Sequence, residues 1–183
     1  MGRPGALVLV VGPSGAGKDT LIGAARAALA DDPGFVFARR VITRDAVAAL
    51  EDHDTIDVAG FTAAKARGDF ALDWQAHGLC YGVPATIDTD IAEGRTVVMN
   101  GSRRMIGDAQ ARYPRSLVAL VTADPAVRAR RLAGRGRETE GEIAARLAHE
   151  GAPVPDGIET VRIDNSGDLD TAVAALIRVL KQA

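Results

Sequence analysis

An unbroken apolar run from Ala6 to Val11 leads straight into Gly12-Pro13-Ser14-Gly15-Ala16-Gly17-Lys18-Asp19-Thr20, and an alanine-rich amphipathic stretch follows. That order constrains the fold more than any other feature of the chain. A continuous apolar run suits a strand covered on both faces, as in parallel sheets. The G-x-x-x-x-G-K spacing lets successive backbone N–H groups turn inward on phosphates, while Lys18 reaches the outer ones. A helix opening after Gly17 adds the positive end of its dipole, equivalent to about half a charge. Strand, phosphate loop and helix in succession predict an α/β protein with a mostly parallel sheet, residues Gly12 through Thr20 surrounding ATP. Asp19 departs from the pattern, because a Ser or Thr hydroxyl normally meets magnesium there. A carboxylate beside phosphates repels them unless a cation lies between, so Asp19 is expected to hold Mg2+ directly or through its water shell. Thr20 is a poor substitute, since the next residue on a helix points about 100° away.

A chain of 183 residues fits one domain and can bury about 70% of the surface its unfolded form exposes. The single Cys80 excludes an internal disulfide framework and suits a reducing, cytoplasmic setting. The apolar stretches Leu7 to Val11 and Val173 to Leu180 are too short to span a bilayer, and the N-terminus lacks the signal-peptide pattern, so no membrane partner is expected. The net charge of −2 conceals arginine clusters: Arg39, Arg40 and Arg44; Arg103 and Arg104; and Arg128, Arg130, Arg131, Arg135 and Arg137, with Arg146 beyond. A nucleic-acid binder would more often be basic overall and interleave aromatics, which are 4% here. Discrete clusters in a near-neutral chain suit a small polyanion. Taken singly, any of these arginines reads equally well as surface. Nothing in the sequence sets an oligomeric state.

Along the chain, the first helix is expected from about Gly17 to Leu29, and Phe35 to Thr43 as a second strand with Arg39, Arg40 and Arg44 near its end. Asp45 to Asp57 has no clean period and reads as irregular. Asp57 caps a short helix through Phe61 to Arg67 that Gly68 closes. Phe70 to Trp74 and Leu79 to Val83 are short strands broken by His77-Gly78; Trp74 reads as core or wall packing. Pro84 starts a helix ending near Gly94, and Thr96 to Met99 is a β-forming run that delivers Asn100-Gly101-Ser102-Arg103 to the strand's end. A helix from Met105 to Arg112, a strand from Leu117 to Thr122 and a helix capped by Asp124 with Pro125 in its first turn come next. Gly134-Arg135-Gly136-Arg137 breaks that helix, and Thr139-x-x-Glu142 is a capping box for another through Leu147. This arginine-laden helical pair has the makings of a lid. Ile158 to Ile163 and Leu169 to Leu180 complete the pattern as strand and helix.

Phosphoryl transfer needs alignment and positive charge where the phosphoryl group passes. Lys18 from the loop and Arg135, Arg137 and Arg146 from the lid supply that charge, and lid closure would exclude water. No residue stands out as a general base. An alcohol acceptor often needs a carboxylate to take its proton, whereas a phosphate acceptor is already ionised, which favours a phosphate. His53 and Asp73 keep the alcohol alternative open.

Six segments taken together resemble the guanylate kinase-like P-loop kinases: GPSGAGKDTL at 12–21, ITR at 42–44, GDFALDW at 68–74, CYGVP at 80–84, IAEGRTVVMNGSR at 91–103 and RRLAGRGRETEGEIAARL at 130–147. The resemblance covers nearly the whole chain. It implies a three-layer fold with a central parallel sheet, in a single domain whose core is 1–34, 84–124 and 151–183, with an acceptor-binding segment at about 35–83 and a lid at about 125–150. It also implies contact of Arg131 with ATP. The departures are informative. Guanylate kinases follow T-x-R with a second phosphate-binding arginine where this chain has Val47, and Arg40 sits where they usually show a serine. Asn100-Gly101-Ser102 replaces the aspartate that reads the guanine edge, although Asp73 falls near the family's other guanine-binding acid. His53 aligns with a tyrosine that touches the acceptor phosphate, and Tyr81 matches a family tyrosine.

GKD in the loop, ITRD, a histidine after an acidic pair, and NGSR after the strand look like the ribose 1,5-bisphosphate phosphokinases of phosphonate breakdown. That resemblance implies transfer of the ATP γ-phosphoryl group to a phosphorylated sugar, forming phosphoribosyl diphosphate. Arg40, Arg44, His53 and Tyr81 would then meet the acceptor, and Asn100, Gly101, Ser102 and Arg103 would line its sugar side. A true guanylate kinase and a catalytically silent binding module of the same fold are the alternatives. The intact Lys18 and lid arginines argue against the module.

Overall fold

The computed structural model describes residues 5–44, 53–76, 78–134, 139–148 and 153–183. Five strands form one parallel sheet in the order β2-β7-β1-β8-β9: β1 Ala6–Val11, β2 Phe35–Phe37, β7 Thr96–Asn100, β8 Ser116–Thr122 and β9 Thr160–Asp164. The central strand β1 is buried along its whole length, as its continuous apolar run requires. Its side chains alternate between two cores. Val8 and Val10 pack with Leu21, Ile22 and Ala25 of α1 (Lys18–Ala28) and Leu176 and Leu180 of α7 (Leu169–Gln182). Leu7, Leu9 and Val11 face the opposite layer, with Ile87 of α3 (Thr86–Ala92) and Ile106 and Ala109 of α4 (Ile106–Arg112). Each fully buried Val or Leu contributes about 1.5–3 kcal/mol, so the two layers hold the sheet from both sides.

A second sheet, in the order β4-β3-β6-β5, comprises β3 Arg40–Ile42, β4 His53–Thr55, β5 Phe70–Ala76 and β6 Leu79–Pro84. β5 and β6 pair antiparallel, β6 pairs antiparallel with β3, and β3 runs parallel to β4. α2 (Val58–Arg67) joins β4 to β5; the Asp57 carboxylate accepts the Gly60 N–H at 2.6 Å, and Gly68 closes the helix at φ 79°. α5 (Pro125–Ala133) and α6 (Glu140–Ala148) pack against each other after β8. No helix among the described residues is long and apolar enough to cross a membrane.

Four local expectations change. The single strand expected over 35–43 is two strands in different sheets. Ala38 N–H still donates to Val98 O at 2.9 Å, but the guanidinium groups of Arg39 and Arg40 cannot enter a sheet buried on both faces, and the chain leaves it there. Within the stretch expected to be irregular, His53–Thr55 forms β4 through pairing with β3, which no local period could announce. Pro84 ends β6 instead of starting α3, since it pairs with Phe70. Asp124 occupies the cap position of α5 without a capping side-chain bond; its own N–H donates to Ser166 Oγ at 2.9 Å.

Candidate functional site

The C-terminal ends of β1 and β7 deliver the loop 12–17 and Asn100 to the same edge of the parallel sheet, where ligands of open α/β folds collect. Here Asn100 Nδ2 donates to Asp19 Oδ1 at 2.5 Å. Arg40 Nη2 stands 3.9 Å from the same oxygen, across from the other sheet. These three side chains line one cavity together with Gly23, Arg26 and Ala38. Lys18 Nζ donates to the carbonyl oxygens of Gly12 at 2.9 Å and Pro13 at 3.2 Å. Asp19 and Thr20 lie in the exposed first turn of α1.

The back of the loop is held by residues far away in sequence. Arg131 donates to Ala16 O at 3.3 Å, to Gly15 O at 3.5 Å and to Asn165 O at 2.8 Å. Asn165 Nδ2 donates to Ala16 O at 2.8 Å, and Arg128 Nε donates to Ser14 O at 3.0 Å. Contact is so close that a Cβ on Gly15 would lie 2.9 Å from Arg128 O, and one on Gly17 2.5 Å from Asn165 Nδ2; both glycines also adopt positive φ, 79° and 88°. Arg131, expected beside ATP, thus grips the loop's carbonyls. Arg128 and Asn165 carried no assigned role in the sequence. Their signals were present: Arg128 stands one helical turn before Arg131, and Asn165 follows the last strand of the sheet.

On the second sheet, β3 and β4 set Arg40 opposite His53, whose side chain is buried. The Arg40 guanidinium lies over the Tyr81 ring at 5.8 Å, and Tyr81 stacks on Trp74 with centroids 5.2 Å apart and planes 6° apart. Trp74 is therefore the underlay of a Trp-Tyr-Arg stack that fixes Arg40 from one side. Thr43 Oγ1 accepts the Cys80 N–H at 2.8 Å, tying the segment before Arg44 to β6. Asp73 does not join the trio at the loop. Its carboxylate takes the Lys65 ammonium at 2.5 Å, and that hydrogen bond and charge raise the lysine's pKa. Gly101 N–H donates to Val10 O at 3.0 Å, Ser102 Oγ accepts the Arg104 N–H at 3.3 Å, and Arg103 opens a 3-10 turn, so the 100–103 stretch is pinned to β1. Arg135, Arg137 and Val47 lie outside the described residues; Arg146 lies in α6, its side chain likewise outside them.

Among the described residues no group of three or more His, Cys, Asp or Glu could hold a metal. Magnesium in nucleotide sites needs less, one or two carboxylates with water and phosphate oxygens completing its shell. Asp19 offers one such carboxylate, 45% exposed at the mouth of the loop. The arrangement as a whole sets a carboxylate and an amide, Asp19 and Asn100, on one side of a cavity and the Arg40 guanidinium on the other, with the glycine-rich loop and Lys18 directly before Asp19 in the chain.

No protein-family model matches the chain. It is 48% identical over 178 residues to a ribose 1,5-bisphosphate phosphokinase PhnN of Brucella melitensis, covering 97% of this chain and 93% of that one. A PhnN of the same description from Methylobacterium radiotolerans is 50% identical, with 97% and 98% covered. Among solved structures, a guanylate kinase from Anaplasma phagocytophilum superposes with a TM-score of 0.72 at 14% identity, covering 98% of this chain and 86% of that one, a likeness of fold.

Proposed function

Because the chain belongs to the family of ribose 1,5-bisphosphate phosphokinases, we propose that it transfers the γ-phosphoryl group of ATP to the 1-phosphate of ribose 1,5-bisphosphate, yielding 5-phospho-α-D-ribose 1-diphosphate and ADP. The observation that carries this reading is the meeting of Asp19, Asn100 and Arg40 at one cavity, which joins the phosphate loop to the residues that set this chain apart from guanylate kinases. In the transfer, the bond from the γ-phosphorus to the β,γ-bridging oxygen breaks. A new bond forms to an oxygen of the acceptor's 1-phosphate, and the electron pair leaves with ADP. The acceptor oxygen is already ionised, so no side chain has to remove a proton. Lys18 exchanges its two carbonyl partners for the outer phosphates of ATP, and the loop's N–H groups hold the rest. Arg40, with Arg44, His53 and Tyr81, receives the acceptor, while Asn100 to Arg103 bound its sugar side. Mg2+, held through Asp19, supplies charge neutralisation between the phosphates when bound. Residues 125–150, with Arg135, Arg137 and Arg146, act as the lid over a core of 1–34, 84–124 and 151–183. The acceptor is held by the 35–83 segment, whose own sheet begins at Arg40.

Release of ADP, coupled to a spectroscopic assay, tests the reading with two acceptors in parallel. Ribose 1,5-bisphosphate is expected to support turnover and GMP to support little. Robust turnover with GMP alone would make the chain a guanylate kinase, and failure to bind ATP with magnesium in calorimetry would make it a silent module.

A further inference from the structure

Arg128 is 6% exposed, on the fourth residue of α5. Its Nε has a partner, the Ser14 carbonyl, but its Nη2 is buried with no hydrogen-bond partner, and no carboxylate among the described residues pairs with it. A buried guanidinium without a counter-charge carries a large desolvation cost. Its place adds to that cost, since the N-terminal end of a helix is the positive end of its dipole and disfavours a cation. Among the described residues, no acidic side chain on its own side of the loop offsets the charge. On the other side of the loop lies the phosphate-binding face.

The peptide geometry shows what the contact accomplishes. In a trans peptide the C=O and the following N–H point in opposite directions. Arg128 draws the Ser14 carbonyl to the back, which turns the Gly15 N–H to the front; Asn165 and Arg131 draw the Ala16 carbonyl back and so turn the Gly17 N–H. Arg131 has three carbonyl partners for its charge, whereas Arg128 has one. We propose that Arg128 is a positioning residue for the nucleotide: it aims the Gly15 N–H at the phosphates, and its buried charge finds its counter-ion in the nucleotide's phosphates across the loop. The empty protein is consequently destabilised at this point, and the bound nucleotide relieves it. The inference rests on the kinase reading for the identity of the ligand as a nucleotide.

Two variants and one ligand decide it. Arg128→Met keeps the length of the side chain and removes charge and donors; Arg128→Lys keeps the charge. Calorimetry with ADP and magnesium, and thermal melts with and without ADP, are run on both and on the parent protein. The Met variant is expected to melt no lower than the parent without ligand and to bind ADP about ten-fold more weakly, the loss expected of one charge-assisted contact. Its ADP-induced rise in Tm shrinks accordingly, its KM for ribose 1,5-bisphosphate stays within about two-fold, and the Lys variant regains most of the ADP affinity. ADP affinity unchanged in the Met variant would overturn the proposal. So would a Met variant that melts lower or fails to fold, because that is the mark of a structural support, and so would a Lys variant as weak as Met. A parent protein that does not bind ADP would instead sink the kinase reading.

Discussion

Lys18 rests on the carbonyl oxygens of Gly12 and Pro13, which occupy the ammonium that we propose meets the outer phosphates of ATP. Lys18→Ala is therefore expected to lower kcat by about 10²–10³, the scale of losing one preorganised charge at the reacting phosphates, with the circular dichroism spectrum unchanged. Near-normal turnover would remove Lys18 from the chemistry. Asp19→Asn is expected to raise sharply the magnesium concentration for half-maximal turnover, because a neutral amide is a poorer ligand for a hard cation. An unchanged magnesium titration would show that Asp19 has another task. Both positions are singled out by spacing alone, since the G-x-x-x-x-G-K pattern marks the lysine and the residue after it. Arg128 is not. In a stretch with five arginines between 128 and 137 each guanidinium looks like surface, and only the packing of α5 behind the loop separates the buried one from its neighbours.

Between elements, the clearest electrostatic joint ties α3 to α4. Asp88 Oδ2 accepts from Arg112 Nη2 at 2.6 Å, and its Oδ1 accepts from the Tyr113 hydroxyl, also at 2.6 Å. The Arg112 hydrogen bond, more than the Tyr113 one, holds the Asp88 carboxyl below its ordinary range against the opposing effect of burial. Burial, with the Asp88 contact, pushes the Tyr113 hydroxyl up to about 12, which keeps it a donor. A carboxyl whose pKa is lowered on folding contributes stability above its unfolded value of about 4, and that contribution is lost as pH falls through the folded value. Asp88→Asn is expected to cost about 1 kcal/mol near pH 7, a modest figure because the Arg112 side is half exposed and solvent screens it. Urea melts of the parent and variant should converge as the pH drops below about 4; a gap that persists in acid would mean that packing, not charge, holds the joint. Helix boundaries of this kind were readable beforehand where a side chain makes the cap: Thr139 Oγ1 and Glu142 exchange the bonds of a capping box, and Asp57 caps α2. They were misread where tertiary partners decide. Asp124 makes no side-chain cap while its backbone N–H donates to Ser166, and β4 exists only through its pairing with β3.

Across the whole molecule, the two sheets differ in how deeply they are buried. β1 has paired neighbours on both sides and no exposed residue, whereas β4 is an edge strand with Asp54 and Thr55 exposed. Amide hydrogen exchange is expected to be slowest in β1, governed by global unfolding, and markedly faster in β4 through local opening. Equal protection would mean that the sheets open as one cooperative unit. The parallel sheet was legible because one strand, one loop and one helix come in a fixed order, and each βα unit repeats that logic. Of the second sheet, β5 and β6 were legible as strands, β3 only as the end of a longer strand, and β4 not at all. The sheet's separate identity rests on a break between Phe37 and Arg40 that local sequence marks by two arginines and nothing more.

That break has a geometric consequence for catalysis. Arg40 is the first residue of β3, three residues after Phe37, the last of β2 in the first sheet, and so sits beside the seam between the two sheets. When two bodies swing about a seam, points near it trace short arcs and points far out trace long ones. Any swing of the second sheet toward the loop would carry Tyr81 and Trp74 through larger arcs than Arg40, which would keep its distance from Asp19 nearly constant. Arg40 would act as the fixed pin of a pair of callipers, and the reach to the loop of the acceptor we propose this segment holds would be measured from it.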